Sequence, residues 1–323
     1  MLRYLVRRVL WAVVLCLGVT FVAFVIFYLT PADPARARCG GDKASPQCIA
    51  AARIKLGLDK PVPVQYYRFV RSLVVNHSLG HSFLSDEDVN TIVASAAPVT
   101  ASLVFGGVVI WLTIGLAVGI LSALRPRSLL DRAAMVLVLI GVSAHPVWFA
   151  LLLSYVFGYK LGLTPIAGYA DFFNPPPGEP GGLWPWFSHL VLPWFAFAIP
   201  FAALYVRMIR ANMLETINED FVRTARAKGA PTRRVVGVHV LRNALLPVLS
   251  MLGMDIGIAL GGVVFTETVF NLPGLGSTMI TAINQGDLVV VQGVLLFATF
   301  AIVFFNLIVD LLYAWADPRI RFV

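Results

Sequence analysis

The sequence predicts an all-α integral membrane protein with six transmembrane helices and both termini in the cytoplasm. Three observations carry that expectation. Hydrophobic residues fill 59% of the 323 positions and charged residues only 13%, against about 25% charged in soluble domains. The mean hydropathy is +0.82. Six apolar runs occur, at 9–29, 98–124, 133–159, 187–206, 243–266 and 288–309. Each is long enough for a helix to cross the hydrocarbon core, which takes about 20 residues.

The first run follows "MLRYLVRR" and holds 21 uncharged residues, Val9 to Leu29. A secretory signal has a shorter core of about 7–15 residues. Residues 1–30 are therefore expected to be a retained first span, although "ARA" follows at Ala35 to Ala37. Residues 31–97 are expected to form an extracytoplasmic loop subdomain. Within it Cys39 and Cys48 flank "GGDKASPQ"; outside the membrane they are either a disulfide or two free thiols. Cys16 sits in an apolar run and suits a small buried hydrophobe. Further on, an amphipathic helix is expected over Val64 to Val75. Its apolar face carries Tyr66, Phe69, Val70 and Leu73 and rests on the outer membrane surface or on neighbouring spans.

Residues 98–316 hold the five remaining spans. Gly115 and Gly119 in the second span suit close helix packing. In the third, His145 precedes Pro146, which fits a pore residue or a buried histidine at a kink. The 160–187 loop is proline-rich over 174–180 and ends in "LWPWF", whose tryptophans suit a membrane interface. Asp255, Glu267 and Asp310 lie in or at the ends of spans, where a carboxylate needs a polar partner or water. Asp255 stands among Gly253, Gly257 and Gly261, and either lines a pore or packs against another helix.

Orientation follows from the basic residues. With the N-terminus inside, 16 of the 25 Lys and Arg residues fall in inside segments, including the 317–323 tail. Eight of the other nine lie in the long first loop, where charge bias counts for little. The +8 net charge thus marks membrane orientation rather than nucleic acid.

Catalytic chemistry is not evident. No Gly-x-x-x-x-Gly-Lys-Ser/Thr loop occurs, and "GLGST" at Gly274 lacks the third glycine of a dinucleotide site. His77 and His81 have no third metal ligand suitably spaced and suit solvated loop positions.

One segment stands out, "INEDFVRTARAKGAPTRRVVG" at 217–237. Asn218 is expected to cap a short helix. Glu219 and Asp220 suit its positive end, and Arg226 and Lys228 its negative end. Gly229 and Pro231 stop it. Phe221, Val222 and Ala225 make an apolar patch among Arg223, Arg226 and Lys228. Thr232 is expected to cap a second helix that runs through to Pro247 and enters the fifth span. Such a segment could transmit a push from a cytoplasmic partner or lie on anionic lipid.

"EDFVRTARAKGAPTRRVVGVHVLRNALLP" resembles the cytoplasmic EAA loop of binding-protein-dependent ABC importer permeases, in the form of the dipeptide/oligopeptide/nickel group. "RYLVRRVLWAVVLCLGVTFVAFVIFYLTPADPA", "LGLDKPVPVQYYRFV", "HLVLPWFAFAIPFAALYVRMIRANMLE", "TETVFNLPGLG" and "DLLYAWADPRIR" resemble the B-type subunit of that group, in the family's order. The resemblance implies a type I ABC importer permease fold with an EAA coupling loop over 213–247, in a bacterial cytoplasmic membrane. It implies coupling to an ATPase through Asp220, Phe221, Val222, Arg223, Thr224, Ala225, Arg226, Ala227, Lys228, Gly229, Leu246 and Pro247. Asp255 and His145 are the candidates for the translocation path. The implied partners are a homologous second permease, two ABC ATPase subunits or domains and an extracytoplasmic substrate-binding protein. The chain itself would be no enzyme and bind no cofactor; ATP and Mg would sit on the ATPases. The implied cargo is di- or oligopeptides, with nickel, glutathione or another small solute as the alternative within the family. Arg223 departs from the first glutamate of the motif, as is usual in the peptide group. A secondary transporter acting alone is the rival class; it would favour inverted repeats, broken helices and more intramembrane charge, and the missing repeats and the capped basic loop argue against it.

Overall fold

The computed structural model describes all residues except 1, 30–34, 36–38, 40–44, 57–59, 83, 173–174, 176–180 and 317–323. The tail at 317–323 and, apart from Pro175, the proline-rich stretch lie outside the described residues, as does the Asp310 side chain. The described chain is helical. Its elements are α1 (Leu2–Leu29), α2 (Pro46–Leu56), α3 (Val62–Val75), α4 (Val89–Leu124), α5 (Leu129–Ser143) and α6 (Pro146–Leu153), the last continued by a π-helical turn, Ser154–Lys160. Then follow α7 (Leu183–Ile217), α8 (Asp220–Ala227), α9 (Thr232–Arg234), a π-helical stretch Val235–Val240, α10 (Leu241–Ala244), α11 (Leu246–Val269), α12 (Leu275–Gln285) and α13 (Leu288–Ala316).

Among the described residues, four helical stretches are long and apolar enough to cross a membrane: Val9–Ile26, Val89–Leu124, Leu183–Ile217 and Leu288–Val309. Six crossings are reached when two bent pairs each count as one, Leu129–Ser143 with Pro146–Lys160 and Thr232–Ala244 with Pro247–Ala259. The expected third span at 133–159 is therefore not one helix but two, bent by 109°. The cause is local. Proline disfavours helical backbone in the residue before it, and Ala144 and His145 are extended, with ψ of 127° and 131°. The His145 ring then accepts the Val147 N–H at 3.3 Å and caps the new helix. The fifth span bends by 46° just before Pro247.

Two compact units divide the described chain: Met1–Thr100 with Pro273–Leu307, and Ala101–Leu272 with Ile308–Val323. In the first, α3 packs on α1. Tyr66 lies edge-on to Phe21 and Phe24, and Phe69 also meets Phe24. Neighbouring-span contact is thus what the face of α3 makes. A core of Val89, Val93, Ala96, Leu275, Ala282, Val290 and Val294 joins α4, α12 and α13. The loop at 77–88 is pinned by Ser82, whose hydroxyl donates to the Asp287 carboxylate. Asp287 in turn starts α13 by accepting the Val290 N–H. Cys39 and Cys48 are joined by a disulfide.

In the second unit α7 is the central helix. Trp111 of α4 stacks on Phe201 with ring centroids 4.6 Å apart. Gly115 and Gly119 let α4 approach α7: a Cβ at Gly115 would lie 2.7 Å from the Tyr205 Cβ, and one at Gly119 3.0 Å from the Ile209 Cβ. Val138 of α5 packs with Ala203 and Val206 of α7. The glycine stripe of α11 is filled unevenly. A Cβ at Gly253 would lie 2.8 Å from Val309, whereas one at Gly261 would meet nothing within 4 Å.

Candidate coupling site

The short basic helix forms as α8, with its two ends made differently from the expectation. Asn218 does not cap it. The amide of Asn218 donates to the Leu214 carbonyl at 2.9 Å and closes α7, which runs on to Ile217 well past the apolar run. Glu219 is the N-cap residue and makes no side-chain cap bond. Asn suits both helix ends, and here the longer helix takes it. Similarly Pro231, not Thr232, precedes α9.

The C-terminal stop is a full Schellman turn. The Gly229 N–H donates to the Arg226 carbonyl at 2.9 Å, and the Ala230 N–H to the Ala225 carbonyl at 3.2 Å. Gly229 takes φ +79° to make it, a conformation that costs other residues energy.

The apolar patch expected on α8 is divided. Val222 is fully buried, as are Val235 and Val240 of the π-helical stretch against which α8 packs. Phe221 is 43% exposed. Arg223, Thr224, Arg226, Ala227, Lys228 and Gly229 are exposed, and Ala225 is half-buried. Asp220 and Arg223 approach to 3.5 Å at 96% and 71% side-chain exposure, an arrangement that contributes little. The outward surface is therefore one phenylalanine between the exposed acids Glu219 and Asp220 and the exposed bases Arg223, Arg226 and Lys228. Pro247 is exposed at the start of α11, and the Leu246 side chain lies outside the described residues.

A second cluster was not singled out from sequence. The Asp131 carboxylate of α5 accepts Arg210 Nε at 2.6 Å and Arg210 Nη2 at 2.9 Å. It also accepts the Arg127 N–H at 2.8 Å and the Ser122 hydroxyl. The Asp131 N–H donates to Ser128, which caps α5. Asp131 lies in the first turn of α5, just before the apolar run that begins at 133. The available signal was a lone acid among Arg125, Arg127 and Arg132. Its partner 79 residues on carried none.

The two residues considered for the path are placed differently. His145 is exposed at the bend, with its ring 6.2 Å from that of Phe265. Asp255 is buried beside the fully buried Tyr205 of α7. Glu267 is fully buried near the end of α11.

Comparison with known proteins assigns the class. Residues 115–322 match the family described as binding-protein-dependent transport system inner membrane component, and residues 1–104 match its N-terminal companion. The chain belongs to this family. A Brucella suis protein named as a peptide permease is 40% identical over 323 residues, covering 99% of both chains. The di/tripeptide transport system permease protein DppB of Pseudomonas aeruginosa is 39% identical over 335 residues, again covering 99% of both. The dipeptide transport system permease protein DppB of Alkalihalophilus pseudofirmus is 35% identical over the full length of both. The protein is thus a multi-pass inner-membrane permease subunit of an ABC importer, not itself an ATPase. A permease of this kind works with a partner permease, an ATPase and a substrate-binding protein.

Proposed function

We propose that this permease passes di- or oligopeptides, forming half of the pathway beside one homologous permease. Two ATPase subunits or domains drive it, and an extracytoplasmic binding protein delivers the cargo. ATP and Mg are held by the ATPases, and this chain binds no cofactor. Both termini and the 213–247 loop face the cytoplasm. The observation that carries this reading is the exposed surface of α8. Phe221 is its apolar anchor, with Asp220 and Arg223 exposed beside it and Arg226 further along, so the complementary groove is apolar with a charged rim. Val222 belongs to the internal contact that fixes α8 to the chain. Gly229, Leu246 and Pro247 serve the ATPase coupling by shaping the loop. His145 and Asp255 are assigned to the path, His145 from its exposure at the bend and Asp255 as a buried acid within a span.

The test is to express the chain with its neighbouring genes, purify the assembly and reconstitute it. Bound ATPase subunits and ATP-dependent dipeptide uptake are expected. Uptake that persists without ATP or those subunits would sink the reading. Uptake of nickel or glutathione in place of peptides would move the cargo within the family.

A further inference from the structure

We propose that Asp131 and Arg210 are positioning residues that carry motion of α8 into the α4–α5 hairpin. The inference rests on the reading of α8 as the ATPase-docking helix. Its basis is a continuous run of contacts within the second unit. Val222 seats α8 on the π-helical stretch. The Asn212 amide of α7 donates to the Ala244 carbonyl at the end of α10, at 3.3 Å. Two residues earlier on α7, Arg210 grips Asp131 with two bonds. Residues two apart point to nearly opposite sides of a helix. At this level α7 is therefore held on one side by the segment behind α8 and on the other by α5. From Arg210 to Ile217 it is unbroken helix.

Asp131 gathers the other side. Through Ser122 it holds the last turn of α4, and through the Arg127 N–H it holds the connecting turn. Arg127 has φ +63°, so that turn takes a left-handed residue to offer its N–H. The Arg210 side chain is 25% exposed and that of Asp131 only 5%. A buried ion pair is a poor source of net stability, because desolvation offsets the attraction. What a two-pronged guanidinium–carboxylate contact adds is geometry: it fixes distance and angle together. A hydrophobic pair would hold the same helices while letting them slide and rotate. The pair thus suits a joint that must pass displacement without slack.

The experiment compares reconstituted wild-type complex with Asp131→Asn, Arg210→Lys and Ser122→Ala. The readout is dipeptide uptake per ATP hydrolysed, with ATPase subunit content and thermal unfolding measured on the same samples. A merely structural role lowers stability and scales uptake and hydrolysis together. A positioning role changes their ratio. Asp131→Asn is expected to keep its ATPase subunits and lose about tenfold or more in the ratio, since it breaks a buried charge pair. Arg210→Lys keeps the charge but loses the fork and should fall between it and wild type. Ser122→Ala removes one hydrogen bond to the carboxylate but leaves the fork intact, and should lose clearly less than Arg210→Lys. A wild-type ratio in Asp131→Asn or Arg210→Lys overturns the proposal, as does an equal loss in Ser122→Ala and Arg210→Lys. If Asp131→Asn does not assemble, Arg210→Lys decides alone. Wild-type complex that lacks ATPase subunits would instead overturn the docking reading, and this inference with it.

Discussion

Replacing Gly229 tests whether the turn after α8 works through backbone conformation. Gly229 stands at φ +79°, and a Cβ added there meets nothing within 4 Å. A Cβ at this position therefore collides with nothing among the described residues. What remains is the intrinsic cost of left-handed backbone, about 1–2 kcal/mol for a residue with a side chain. The two Schellman bonds contribute about 0.5–1.5 kcal/mol each, so the penalty offsets much of what closes the turn. A shift of that size changes the population of the ordered turn by roughly 5–30-fold. Gly229→Ala and Gly229→Leu should therefore behave alike, and Gly229→Asn should be milder, because Asn tolerates this region. The assay is substrate-stimulated ATP turnover and uptake by the reconstituted complex, with membrane-fraction yield as the control for insertion. Yield should be unchanged while coupling falls in Ala and Leu variants. An Ala variant that couples normally would refute the reasoning. So would a Leu variant far worse than Ala, since that difference would place Gly229 in contact with the partner.

Two further outcomes are expected. At Gly106 an added Cβ falls on the Trp194 indole, whose Nε1 donates to the Ser102 carbonyl at 2.9 Å. Gly106→Ala should destabilise the protein by about 1–3 kcal/mol through overpacking, read as a lower unfolding temperature in detergent. For the cysteines, alkylation of the denatured, unreduced chain should label Cys16 alone, and reduction should add Cys39 and Cys48. Cys39→Ser should then expose Cys48 without reduction.

Features set by near neighbours were legible in the sequence. The α8 stop was readable because Gly229 and Pro231 act within one turn, and the face of α3 because Tyr66 and Phe69 follow helical spacing. The bend at His145 was only half legible. Pro146 announces a disturbance, but hydropathy runs through it, and a kink and a new helix look alike in composition. Asn218 went to the other helix because its side chain suits either end. The Asp131–Arg210 pair depends on how α5 lies against α7, and nothing in either segment names the other. Asp255 was undecided for the same kind of reason: spacing puts it on a glycine-lined face, and only packing shows Tyr205 beside it.

The π-helical stretch at 235–240 gives the connection to α11 a phase as well as a length. Its wide turn is closed by the Leu241 N–H on the Val236 carbonyl, five residues back. Removing or adding one residue there would alter the rise by only about 1.5 Å but rotate what precedes it by about 100°. Phe221 would then leave its quadrant while the connection stayed nearly as long. Drift in the length of this connection is thus constrained to steps of about a whole helical turn, and single-residue insertions act as misalignments rather than as slack.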